Sequence, residues 1–172
     1  MYNKTMLVRG PFTLKWGNNV LEDVEELDVS HEINSDEVET IQGNTYEMDG
    51  AYKVSAVATF LATDIATLAA VLPQHFVDNG QVLSTGETVN DENGAIDVVP
   101  QSCEDDVVKN NLDIISCGNP SKVARIVSAR TKIEGYEVDN MIQKVQVKFV
   151  GEAEQGEATM QFFTEGTIAI VS

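Results

Sequence analysis

Apolar and polar residues alternate at every second position in several stretches of the chain. Between residues 26 and 33, one set of alternate positions is Leu27, Val29, His31 and Ile33, and the other is Glu26, Asp28, Ser30 and Glu32. Because successive side chains of a strand point to opposite faces, this pattern predicts a strand with one apolar and one acidic face. Alternation or β-favouring composition predicts further strands at 12–16, 52–60, 125–133, 145–149 and 159–163.

One segment, 63–73, has a helical period instead. Its apolar residues recur at i, i+3, i+4 and i+7, which predicts a core-facing side made of Ile65, Leu68, Ala69 and Leu72. Thr63 is the predicted N-cap, and Asp64 lies where the helix dipole favours a negative charge. Pro73 ends the helix, since the residue before a proline is pushed out of the helical region.

Two polar stretches, 34–50 and 80–119, are predicted to be long loops whose roles the sequence leaves open. Neither contains an internal repeat, and no linker divides the chain. We therefore expect one domain over residues 1–172, of the mainly β (α+β) class. Its predicted architecture is two packed antiparallel sheets forming a sandwich or barrel, with one flanking helix and long loops.

Charge narrows the possible partners. The 172 residues include 11 Lys and Arg against 28 Asp and Glu, a formal net charge of −17. This balance argues against a nucleic-acid-binding face or binding to an anionic membrane. Residues 21–50 hold eleven acids and no Lys or Arg, whereas 121–150 hold six basic residues. A solvated surface explains such asymmetry, and so does an oligomer in which acidic and basic regions meet.

Residues suited to catalysis are scarce. His31 and His75 are the only histidines, and no nucleophile elbow, phosphate-binding glycine loop or zinc motif is present. We expect no catalytic residue, no metal site and no cofactor. Cys103 and Cys117 are expected to be free thiols, because the sequence shows no export signal and no zinc-ligand spacing.

The run 52–61 followed by 62–73 resembles the strand-then-helix centre of bacteriophage tail tube proteins, also called major tail proteins. The strand at 27–33 with its acidic continuation is similar to another part of that family, and the likeness covers roughly half of the chain. It implies a structural subunit that forms hexameric rings stacked into a hollow tube. The implied location is the virion tail, assembled in the cytoplasm of the host bacterium. The implied partners are other copies of the chain, tail sheath, tape measure and baseplate proteins, with DNA passing unbound and no membrane contact.

In such a tube, Glu26, Asp28 and Glu32 are candidates for the lining of the lumen. A duplex carries one phosphate charge per 1.7 Å of its axis, so an acidic wall repels DNA and lets it slide.

Three other interpretations remain open at the level of sequence. A secreted tube or hub subunit of a contractile injection system would share the fold and differ in its cargo. A monomeric acidic β-barrel that binds a cationic or small ligand would not assemble. A hydrolase with paired carboxylates would need a substrate-sized cleft with two carboxyl groups at fixed separation.

Overall fold

A computed structural model describes residues 11–22, 24–61, 64–100, 108–116, 123–139, 142–153 and 156–163. This part of the chain forms ten strands, one α-helix, α1 (Ile65–Val71), and one 3₁₀ turn (Pro73–His75). The strands are β1 (Phe12–Trp16), β2 (Asn19–Leu21), β3 (Val24–Glu39), β4 (Thr45–Leu61), β5 (Phe76–Val77), β6 (Ala95–Ile96), β7 (Asn110–Ser116), β8 (Val123–Asp139), β9 (Ile142–Ala153) and β10 (Met160–Phe163). The predicted mainly β class with a single flanking helix is confirmed for these residues.

The long strand β8 joins two antiparallel layers. The strand order is β2-β1-β7-β8-β9-β4-β3, and β10 also pairs with β8. Ala129 is the last residue of β8 paired with β7, and Arg130 is the first paired with β9. Next to this change of partner, Ser128 has a positive φ of 50°. The layers pack like a sandwich. Within the described residues the sheet does not close into a barrel, because β2 and β3, at the two ends of the strand order, do not pair with each other.

The core lies between the layers and is built mainly from alternate residues of β4 and β9. Ala56 and Ala58 of β4 are opposite Phe149 and Val147 of β9, and all four are fully buried. Trp16 of β1 reaches them from the other layer, with its ring 6.2 Å from that of Phe149 in an edge-to-face arrangement. The buried residues of both layers thus form one hydrophobic cluster.

The helix α1 is fixed at both ends. Asp64, rather than the predicted Thr63, is the N-cap: its carboxylate accepts a hydrogen bond from the Thr67 backbone N–H at 2.9 Å. Thr63 lies outside the described residues. At the other end, the Thr131 hydroxyl of β8 donates to the Val71 carbonyl, and the Gln74 side chain donates to the Thr131 carbonyl at 2.9 Å.

The loop predicted at 34–50 is wrong, because β3 and β4 continue through this stretch as a hairpin. Their pairing extends to Glu39 and Thr45, and the Thr40 N–H donates to the Asn44 carbonyl in the turn. Val38 and Tyr46 near the turn are 47% and 55% exposed. Since the hairpin reaches beyond the core, neither face needs apolar residues at every second position, and the periodic signal is lost.

The loop predicted at 80–119 is also wrong in part, because it contains β6 and the whole of β7. Strand β7 is central, between β1 and β8. Its Asn110, Asn111 and Asp113 are residue types typical of loops, yet Asp113 is 8% exposed and forms an ion pair with Arg125 at 2.6 Å. Cys103 and Cys117 lie outside the described residues.

Candidate self-assembly surface

The strands β3, β4, β9 and the second half of β8 form a four-stranded layer with one core face. Leu27, Val29 and His31 of β3 are opposite core residues of β4, so they lie on the core side. The three predicted lumen residues lie on the other face and are exposed. Glu26 is opposite Thr59, Asp28 is opposite Val57, and Glu32 is opposite Lys53.

On this outer face β3 carries Glu26, Asp28 and Glu32, whereas β8 carries both Lys132 and Glu137. One row across it reads Asp28, Val57, Lys148 and Lys132, running from β3 to β8. Lys132 and Lys148 are therefore directly opposite on neighbouring strands, a like-charge pair that is unfavourable unless acids lie nearby. Within the layer, the Lys144 ammonium forms an ion pair with Glu25 at 3.0 Å. The sequence predicted the acids of β3 and a basic region at 121–150, but not that Lys132 and Lys148 share a face with those acids.

Both outer strands of this layer have a free edge. In the described part of the chain, β3 pairs only with β4, and β8 from Arg130 to Asp139 pairs only with β9. Strand β3 has 16 residues, and the part of β8 that pairs only with β9 runs from Arg130 to Asp139, whereas a whole strand in a globular protein usually has about 5–6 residues. Long unpaired edges expose backbone N–H and C=O groups and are ready to pair with a further strand.

Exposed apolar side chains flank both free edges on the core side. On β8, Tyr136 and Val138 are 61% and 59% exposed. Tyr136 is opposite the buried Val145, which places it on the core face. On β3, Val29 is 42% exposed on that same face. Burying such side chains against a partner is favourable by about 25 cal/mol per Å² of apolar area.

Next to the β3 edge, the two layers separate and leave an open apolar cleft of about 540 Å³. Phe12, Leu14 and Ile114 line it from one layer, and Leu27 and Val29 line it from the other. Glu25, which is paired with Lys144, and Glu26 also contribute to its lining. This cleft had no clear signal in the sequence, because it depends on how far apart the layers lie.

The predicted core face of α1 points mostly inward. Leu72 is fully buried, Leu68 packs against the core cluster, and Ile65 and Ala69 are half-buried. Val71, which the periodic pattern did not include, is fully buried as well. The helix therefore supports the four-stranded layer from the core side and leaves the outer face of the layer open.

The described residues offer little for catalysis or metal binding. They contain no group of three or more His, Cys, Asp or Glu that could hold a metal ion. His75 is buried, and this burial lowers its pKa below the ordinary value of 6.5 despite the nearby charge of Asp97. Hydrogen bonds from Ser84 lower the pKa of Asp97. Among the helices of the described chain, none has the length and apolar character needed to span a bilayer.

No protein-family model matches the chain, and no curated protein matches it. Three solved structures are similar in fold. A chain of the sheath-tube complex of an extracellular contractile injection system (PVC, extended state) is 11% identical with a TM-score of 0.48, and the match covers 88% of each chain. The tube terminating cap of the anti-feeding prophage is 10% identical with a TM-score of 0.44, over 86% of this chain and 94% of that one.

The third structure is the PVC sheath/tube terminator in the extended state, which is 12% identical with a TM-score of 0.45, over 90% of this chain and 99% of that one. Identity this low indicates a likeness of fold alone.

Proposed function

We propose that the protein is a structural subunit of a phage tail tube that assembles as hexameric rings stacked into a hollow conduit. The observation that carries the proposal is the pair of long free edges, β3 and the second half of β8, on opposite sides of one four-stranded layer. Successive strands of this layer are antiparallel, so β3 of a second copy adds to β8 as a further antiparallel strand. A head-to-tail contact of this kind forms a ring when the rotation closes.

Charge supports the same contact. The edge strand β3 carries Glu26 and Asp28 on its outer face, and β8 carries Lys132 on the equivalent face, where its Glu137 lies opposite Lys144 of β9. Joining the edges brings acids beside the like-charged pair of Lys132 and Lys148, which relieves its repulsion. Charge complementarity of this type mainly sets the register and the orientation of the partners.

In a ring built this way, the outer face of the layer lines the lumen, and Glu26, Asp28 and Glu32 form its acidic rows. DNA then passes without specific binding, because these carboxylates repel the phosphate backbone and offset the attraction of Lys53, Lys132 and Lys148 on the same face. The exposed tip of the β3–β4 hairpin, where Ile41 is fully exposed, provides a contact between stacked rings. Tail sheath, tape measure and baseplate proteins are the expected further partners.

Two alternatives are distinguished by their assembly and cargo. A tube or hub subunit of a contractile injection system would use the same edges and would enclose a protein cargo instead of DNA. A monomeric binding module is favoured by the cleft of about 540 Å³, which is within the usual size range of ligand pockets. The module would stay monomeric at every concentration.

The test compares ring formation by two charge-reversal variants. Lys132→Glu lies on the outer face at the β8 edge, whereas Lys109→Glu changes the net charge equally at an exposed position outside the layer. We expect sedimentation velocity to show rings for the wild type and for Lys109→Glu. The Lys132→Glu variant should form rings only at a higher protein concentration, because the new carboxylate would repel the acids on β3 of the neighbouring subunit.

Added salt should narrow the difference between the two variants, because it screens charges beyond about 8 Å at physiological ionic strength. A wild-type protein that stays monomeric at its solubility limit would refute the proposed function.

A further inference from the structure

A small lobe covers the beginning of the free part of β8. The lobe consists of residues 73–100, which include the turn Pro73–His75 and the strands β5 and β6. A groove of about 430 Å³ lies between this lobe and four consecutive residues of β8, from Arg130 to Ile133. Because neighbouring residues of a strand face opposite ways, a groove that borders all four runs along the edge of β8.

Gln74 of the lobe binds the backbone of β8 at this edge. Its side-chain amide donates to the Thr131 carbonyl at 2.9 Å and lies 3.5 Å from the Thr131 hydroxyl. The hydroxyl donates to the Val71 carbonyl, and Thr131 is only 4% exposed. The Gln74 amide therefore takes the place that an N–H of an added strand would need. Covering an edge strand in this way protects it from pairing.

Beyond the lobe, the same edge of β8 is open. Thr131 and Tyr136 both lie opposite core residues of β9, so their side chains share a face and their backbone groups point to the same edge. Tyr136 is 61% exposed and Val138 is 59% exposed, in contrast with Thr131. The pairing with β9 shifts register between Ile133 and Gly135, so an irregularity separates the covered part of the edge from the open part.

We infer that Gln74 acts as a stop that sets how far β3 of a second copy pairs along β8. This inference rests on the proposed edge-to-edge assembly and names the residue that fixes its register. The incoming strand pairs with residues 135–139 and ends before Thr131, whose carbonyl already has a donor.

Strand β3 has an irregularity of its own that fits this stop. Its pairing with β4 is regular from Leu27 to Ile33 and shifts register between Ile33 and Ser35. Because the two joined strands are antiparallel, the residues after Ser35 lie toward the end of β8 that the lobe covers. Bulges bend a strand, so the regular part of β3 can follow β8 while the rest of the hairpin passes the lobe.

A stop is needed because strand pairing alone leaves the register open. A slip by two residues keeps every side chain on its own face, since the side-chain period of a strand is two. In a closed sheet, the stagger between strands and the number of strands together determine the diameter. Different registers would therefore give rings of different size, and a fixed stop gives one size.

The size of the rings tests the stop. Gln74→Ala removes the amide that covers the Thr131 carbonyl. The matched control, Gln81→Ala, changes an exposed glutamine of the same lobe whose side chain accepts from the Asp78 N–H. Native mass spectrometry should give one ring mass for the wild type and the control and a mixture of masses for Gln74→Ala. Cryo-electron microscopy should show β3 paired as far as Thr131 only in Gln74→Ala rings.

Gln74→Glu provides a second variant that keeps the length of the side chain. Its carboxylate has no proton to donate at neutral pH, so this variant should also give mixed ring masses. Gln81→Glu adds the same charge to the lobe and should give the single mass of the wild type. Urea unfolding of dilute monomer checks that each variant is folded.

The outcomes separate the two proposals. Wild-type protein that forms no rings overturns both the proposed function and the stop. Folded Gln74→Ala and Gln74→Glu proteins that give the single ring mass of the wild type overturn the stop alone. Wild-type rings in which β3 pairs through Thr131 also overturn the stop and leave edge pairing in place.

Discussion

At the scale of single residues, Trp16 connects the two layers. Its indole N–H donates to the Ala129 carbonyl at 3.1 Å, and its ring packs edge-to-face on Phe149. Ala129 is the point at which β8 passes from one layer to the other. Trp16, only 1% exposed, therefore fixes the relative position of the layers and, with it, the width of the cleft.

Replacing Trp16 tests this role. We expect Trp16→Phe to lower the free energy of unfolding by about 1–3 kcal/mol, because it leaves a buried carbonyl without its donor. Trp16→Ala should cost about 3–5 kcal/mol, since it also creates a cavity. Urea unfolding of dilute monomer measures both effects. Val82→Ala, at an exposed position, is the control and should stay within about 0.5 kcal/mol of the wild type. Equal stability of Trp16→Ala and the control would contradict this role.

At the scale of elements, the turn Pro73–His75 and the strands β5 and β6 form a small lobe that packs against β8. The Asp97 N–H donates to the His75 carbonyl at 2.7 Å, and the Ser84 N–H donates to the Asp97 carboxylate at 2.8 Å. His75 is buried beside a groove that Arg130 and Lys132 also line. The lobe thus touches the strand proposed to form the lateral contact.

The lowered pKa of His75 predicts how this lobe responds to acid. Its folded pKa is below its ordinary value of 6.5, so below that pH the unfolded chain binds the proton more readily than the folded chain does. The contribution of neutral His75 is therefore complete above about pH 6.5 and is lost as the pH falls toward the folded pKa.

Unfolding of the wild type and of His75→Gln, measured from neutral to mildly acidic pH, tests this linkage. The free energy of unfolding should fall less steeply with acid in the glutamine variant, because glutamine does not titrate. If the free energy of unfolding falls equally steeply with acid in the two proteins, His75 does not contribute to the pH dependence of stability.

The elements also show what the sequence could and could not predict. The helix and the strands with one buried face, such as the strand at 52–60, could be predicted from the sequence. Burial of one face imposes a regular spacing of apolar residues along the chain. Strand β7 was missed because Asp113 is stabilised by Arg125 from a neighbouring strand, which local sequence does not reveal. The ends of β3 and β4 were missed because no core covers them. Of the proposed contact between subunits, only the acids of β3 could be predicted. The sequence does not reveal which strands lie side by side or which edges stay unpaired.

At the scale of the whole molecule, the described chain has two edges, β3 and the second half of β8, that the proposed ring would join. The β3 edge carries Glu26 and Asp28 and lies beside an apolar cleft, and the β8 edge carries Lys132, Glu137 and the exposed Tyr136. A single contact repeated around a rotation axis would cover both edges in every subunit. The net charge of −17 makes copies of the chain repel one another, so the proposed assembly would depend on local contacts between these edges.

The lumen assignment predicts the effect of reversing its charge. Replacing Glu26, Asp28 and Glu32 with Lys should leave the fold intact, since these side chains point away from the core. It should slow DNA passage through assembled tubes, because repeated cations attract phosphates, and higher salt should partly restore the rate. The control reverses Glu87, Asp91 and Glu92, three exposed acids outside the four-stranded layer. Normal DNA ejection from triple-Lys tubes would reject the lumen assignment.

The most direct test of the central claim is cryo-electron microscopy of the purified protein at high concentration. The proposed function predicts closed six-subunit rings, alone or stacked, whose inner wall is a continuous antiparallel sheet with β3 of each subunit hydrogen-bonded to β8 of the next. Particles that remain single subunits, or rings in which these two edges do not meet, would contradict it.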